Sequence, residues 1–166
     1  MIKKHNSVNI EKAHESNTDI GRCDLMPFYI ISRIFNEDYE LKEIFNDIDM
    51  FESTGDVTYL YHILNLFIDK HFENPYTASL DLSIYYELYD KNNGTDWHID
   101  ITISTFINSA IKHLLKFYRG DSNERHDVAF LWNIIGAIWT MQQNSDMDDF
   151  TYLSSVSNNE DDYDEV

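Results

Sequence analysis

Apolar residues recur at helical spacing along most of this chain, while runs that could serve as strands are short. Ile30, Ile31, Ile34 and Phe35 form the first stripe, in a segment from Phe28 to Asn36. Pro27 introduces it and suits a first helical turn, where its missing N–H has no partner to lose. From Asp38 to Glu52, acids alternate with Leu41, Ile44, Phe45, Ile48 and Phe51, the pattern of a short amphipathic helix. Val57 to Phe72 carries Leu60, Ile63, Leu64, Phe67 and Ile68 on one face, with Asp56 as a candidate N-cap and Asn74-Pro75 as a stop. A further helix runs from Tyr76 to Tyr89 through Leu80, Ile84 and Leu88, and Asn92-Asn93-Gly94 then signals a turn. Trp97 to Ile103 reads as a loop or a short extended piece. Ser104 to Tyr118 is the cleanest amphipathic helix, with Ile107, Ala110, Ile111, Leu114 and Leu115 together and Gly120 placed to end it. Asp121 and Glu124 have capping-box spacing before a last helix, Glu124 to Met141. That helix is apolar on most sides and is therefore central; Trp132 and Trp139 belong to its core faces.

These stripes predict an all-α fold: one compact helical domain over residues 20–143, a polar N-terminal arm over 1–19 and an acidic, disordered tail over 144–166. The tail holds Asp146, Asp148, Asp149, Glu160, Asp161, Asp162, Asp164 and Glu165 and no base, too polar to offset its own ordering entropy. The 166 residues carry a net charge of −18, which argues against general binding to nucleic-acid phosphates. It leaves two uses for acid: holding a hard cation, or facing a basic protein partner, for which the tail is the natural surface. Cys23 is the only cysteine, so neither an intrachain disulfide nor a cysteine zinc site can form. No signal peptide or membrane-length apolar run is visible, and the expected compartment is the cytoplasm.

Candidate chemistry gathers around Gly120. Glu124 and Asp127, spaced i, i+3, would project from one helical face and bracket a divalent ion. Glu87 and Asp90 repeat that spacing upstream. Lys112, Lys116 and Arg119 form a cationic stripe suited to phosphate oxygens, with His113 at its flank. Asn133 is an amide in an apolar helix and must either tie down a neighbouring helix or face the site. His113 followed by His126-Asp127 also resembles metal phosphohydrolases built on a buried His/Asp cluster, for which His62 and His71 are possible recruits. Each feature has a plainer use: acids favour helix starts, and charge stripes are commonly solvated.

Beyond these residues the chain resembles the small phage and bacterial dATP/dGTP diphosphohydrolases. The resemblance is carried by Gly21-Arg22-Cys23-Asp24-Leu25-Met26-Pro27, by Leu80-Asp81-Leu82-Ser83-Ile84-Tyr85-Tyr86-Glu87, by Trp97, and by Phe106 through Phe117 with Arg119-Gly120-Asp121. Glu124-Arg125-His126-Asp127, Ala129 through Asn133 and Trp139 complete it, in family order. It implies an all-helical, MazG-like enzyme that splits a purine nucleoside triphosphate into monophosphate and pyrophosphate with Mg²⁺ or Mn²⁺, acting as a homo-oligomer. Carried onto this chain, Glu87, Glu124 and Asp127 are the implied metal ligands and catalytic acids. Lys91, Trp97, Lys112, His113, Lys116, Arg119 and Asn133 are the implied substrate contacts, with Trp97 stacking on the base. The stretch Leu88 to Ile101 departs from the family: one of two paired lysines is missing, Asp96 stands where an asparagine is usual, and a Lys-Gly-Ile-Pro turn is gone. That departure leaves a second reading open, a non-catalytic acidic binding or inhibitor protein of phage type that sequesters a nucleotide or a basic protein.

Overall fold

The computed structural model describes residues 22–35, 37–93, 100–150 and 152, with the side chains of 89 and 91–93 excepted. Six α-helices account for most of them: α1 Phe28–Ile31, α2 Tyr39–Thr54, α3 Thr58–His71, α4 Pro75–Asn93, α5 Ile103–Arg119 and α6 His126–Gln143. Short 3-10 turns at Cys23–Leu25, Ser32–Phe35 and Ser145–Met147 supplement them, and no strand occurs among the described residues. The fold is all-α, as the stripes predict. No helix among the described residues is long and apolar enough to cross a membrane.

The two long hairpins follow from their capping chemistry. Asp38 accepts the Leu41 N–H at 3.2 Å and starts α2; Gly55, at φ 70°, ends it in the left-handed conformation. Asp56 takes both the backbone N–H (2.9 Å) and the hydroxyl (2.7 Å) of Thr58, but the N-cap position of α3 falls to Val57, one residue later than predicted. Thr102 caps α5, and Gly120 at φ 85° closes it. The first segment is shorter than its stripe suggests: α1 stops at Ile31 and the chain tightens into the 3-10 turn Ser32–Phe35. Conversely, α4 continues through Asn93, past the point where the Asn-Asn pair signalled a turn; Gly94 and Trp97 lie outside the described residues.

The central helix is α6, as its composition requires. Its residues Phe130, Leu131, Ile134 and Ala137 are fully buried, and α5 packs along it more extensively than any other pair of helices. Gly136 permits this approach, because a β-carbon there would lie 2.3 Å from the Phe106 ring. Phe45, Ile48 and Phe51 of α2 and Leu60, Ile63 and Phe67 of α3 supply the opposite wall. Asn133 resolves the amide question in a third way: only 4% exposed, it donates to the Ala129 carbonyl of its own helix at 2.8 Å.

The tail does not begin as a loose segment at Asn144. Asp149 accepts the Ser104 N–H at 2.9 Å at the start of α5, and also bonds its hydroxyl. Phe150 and Tyr152 meet Phe51 edge-on, at 6.0 and 6.3 Å between ring centroids, and the Tyr152 ring covers Gly55. Two aromatics among the acids supply the apolar area that the charge count hides. The N-terminal arm, 1–19, and the rest of the tail, 153–166, lie outside the described residues.

Candidate metal centre at the α5–α6 turn

The turn between α5 and α6 is where charged side chains are drawn inward. Gly120 reverses the chain, and α6 begins only at His126, because Arg125 adopts a non-helical conformation (φ −82°, ψ 76°). Glu124 is therefore in the loop, not on the helix. The i, i+3 pair of Glu124 and Asp127 on one helical face does not form, and neither does the Asp121–Glu124 capping box. Asp121 instead receives the Arg119 guanidinium, at 2.8 Å from Nε, which holds its carboxyl below the usual range. Asp127 is gripped by Arg125, at 2.9 Å from Nε and 2.8 Å from Nη2, and the same guanidinium reaches Asp81 on α4 at 2.9 Å. Two carboxylates thus share one arginine, whose own pKa they raise together with the hydrogen bonds they accept.

Released from the helix, Glu124 turns under the end of α5. Its Oε1 lies 2.8 Å from His113 Nδ1 and 3.0 Å from His126 Nδ1, and the two ring nitrogens are themselves 3.0 Å apart. The carboxylate is 8% exposed and the His126 side chain 1%. The edge between the two Nδ1 atoms is itself a hydrogen bond, while Oε1, close to both rings, lacks a well-aligned donor. His126 Nε2 lies 3.0 Å from Asn123 Oδ1. An amide oxygen can only accept, so Nε2 carries the proton and Nδ1 keeps its lone pair toward the cluster. Burial lowers the His126 pKa and keeps the ring neutral. Burial also acts to raise Glu124, but the neighbouring His113, together with Lys116, outweighs it and holds the carboxyl below its ordinary range. Among the described residues, His113, Glu124 and His126 are the one group of three or more potential ligands whose atoms converge.

The remaining sequence candidates divide by position. Lys116 is near enough to act electrostatically on Glu124, His126 and Asp121. Lys112 lies toward Cys23, whose thiol burial pushes up. Glu87 is exposed on α4 and is not part of the converging group. The Lys91 side chain and Trp97 lie outside the described residues. His62 and His71 join separate partnerships, His62 with Asp47 at 2.6 Å and His71 with both Glu40 oxygens at 2.9 Å, and take no part in the cluster.

Sequence reasoning paired His113 with His126-Asp127 and, separately, Glu124 with Asp127; the structure brings His113, Glu124 and His126 together, leaves Asp127 with Arg125, and adds Asn123. The signal available for them was a histidine upstream of a glycine-terminated helix, then Glu-x-His just after the turn, a spacing that folds back on itself only if Glu124 is non-helical. Comparison of the chain with protein-family models, with curated proteins and with solved structures found no match.

Proposed function

We propose that the chain is a metal-dependent hydrolase of a phosphoanhydride, with a purine nucleoside triphosphate as the substrate that the family resemblance implies. The observation that carries the reading is the convergence of His113, Glu124 and His126 at the end of α5, beside Lys116 on the same helix. These three residues would hold the ion in place of the set Glu87, Glu124 and Asp127. A divalent ion in such a site offsets phosphate charge and makes water a better nucleophile. Lys116, one turn beyond His113, would take up charge on the phosphate chain, with Arg119 held at the rim by Asp121. Arg125 and Asp127 have a structural part, tying the start of α6 to α4 through Asp81.

The test is pyrophosphate release from dGTP and dATP by the full chain with Mn²⁺. Glu124→Gln is expected to lower turnover by more than about 100-fold, since it removes a ligand and not merely its support. Asp127→Asn is expected to keep turnover within a few-fold while lowering stability by roughly 0.3–1 kcal/mol, the worth of a partly exposed ion pair. Equal loss in both variants would return the metal to the Glu124/Asp127 pair. No release under any metal would leave nucleotide or partner binding as the function.

A further inference from the structure

The distances within the cluster bear on which ion it takes. Ligand atoms at about 2.1 Å from a metal are about 3.0 Å apart when they subtend right angles, and about 3.4 Å apart in a tetrahedron. The observed edges are 2.8, 3.0 and 3.0 Å. They match the edges of one triangular face of an octahedron better than those of a tetrahedron, with two imidazoles and one carboxylate oxygen at the corners.

We propose that the α5–α6 turn is a facial site for a transition-metal ion of the Mn²⁺, Fe²⁺ or Co²⁺ type, with three adjacent positions open to a chelating oxyanion such as a di- or triphosphate chain. The inference rests on the metal-site part of the reading above, but not on hydrolysis. Mg²⁺, one of the two ions the resemblance implies, is a poor occupant, because it demands oxygen ligands and two of the three atoms here are nitrogen. The site is built in the way metal-binding imidazoles are: the Asn123 oxygen fixes the His126 ring and its tautomer from outside, and Nδ1 is left for the ion. The carboxylate is more than nine-tenths buried and its Oε1 faces both Nδ1 atoms without a well-aligned donor, so a cation at the centre would bind all three. Lys116 acts electrostatically on both Glu124 and His126, which favours an anionic chelate on an ion held there.

The experiment uses the full chain, stripped of metal, with Mn²⁺ followed by loss of its free-ion paramagnetic resonance signal. One ion per chain is expected, and a hundredfold excess of Mg²⁺ should leave it bound. Glu124→Gln and His113→Gln should each abolish binding, with circular dichroism confirming that the variants are folded. Should either variant fail to fold, the wild-type protein still decides. Long-range ¹H–¹⁵N spectra with Zn²⁺ as a diamagnetic probe should shift Nδ1 of two of the seven histidines, leaving those of His62 and His71 unmoved. Absence of stoichiometric Mn²⁺ binding, displacement by equal Mg²⁺, or shifts confined to other histidines would each overturn the proposal. Mn²⁺ bound at the cluster without pyrophosphate release upholds it and removes the hydrolase reading. Hydrolysis sustained by Mg²⁺ alone and untouched by His113→Gln does the opposite.

Discussion

A single side chain can set the slope of stability against pH, and Glu52 is placed to do so. Its Oε1 is buried without a hydrogen-bond partner among the described residues. Burial, with Asp24 and Asp49 adding repulsion, pushes its carboxyl from the ordinary 4.5 up to about 8. The folded state then keeps a proton that the unfolded chain releases. Glu52 therefore contributes a loss of stability as pH rises from about 4.5 to about 8, complete above the upper value and absent below the lower. Glu52→Gln should flatten that slope: its melting temperature should match wild type at pH 4 and exceed it at pH 9. Thermal melts across that range check this, and parallel curves for the two proteins would mean Glu52 is hydrated in the folded state. Glu40 is a contrasting case. More deeply buried, at 2% exposure, it is met by His71, by Lys70 at 2.8 Å and by the Tyr118 hydroxyl, so its charge is answered on three sides.

Among the elements, the hairpin halves were legible wherever one apolar stripe met one capping residue. The Ser104–Tyr118 pattern became α5 within a residue at each end, because Gly120 enters the left-handed conformation without the penalty a β-carbon would bring. Composition alone placed α6 at the centre. What periodicity could not show was the start of α6. Glu124 and Asp127 are both acceptable first-turn residues on propensity, yet only Asp127 lies in the first turn of α6, whereas Glu124 sits in the preceding loop 2.8 Å from His113. The start of α6 thus separates Glu124 from Asp127, which periodicity does not show. A comparable limit applied to the tail, where charge concealed Phe150 and Tyr152. Removing residues 144–166 therefore removes ordered contacts and not only a charged tail. Truncation after Gln143 should lower the melting temperature by several degrees, and Asp149→Ala alone should cost about 1 kcal/mol, the usual worth of a helix cap. Chemical denaturation of the two variants measures both, and a truncation as stable as the full chain would mean the aromatic contacts contribute little.

Over the whole molecule, 30 acids against 12 lysines and arginines leave −18, and self-repulsion opposes compactness at every pH near neutral. Salt should therefore stabilise: the melting temperature should rise as NaCl goes from about 10 mM to about 300 mM, over which the screening length shrinks from about 30 Å to well under 10 Å. A fall would mean that ion pairs such as Arg125 with Asp81 and Asp127 outweigh the repulsion. The turn at Gly120 has a consequence for the order in which this molecule assembles. Everything that meets at the cluster comes from one short stretch, His113 to His126, so its loop closes at small entropic cost. Contacts of that kind form early, whereas Asp149 must travel back across the molecule to reach Ser104 and closes late. An ion captured at the turn would thus act on the nascent hairpin as much as on the finished protein, and would be felt as faster refolding rather than only as slower unfolding.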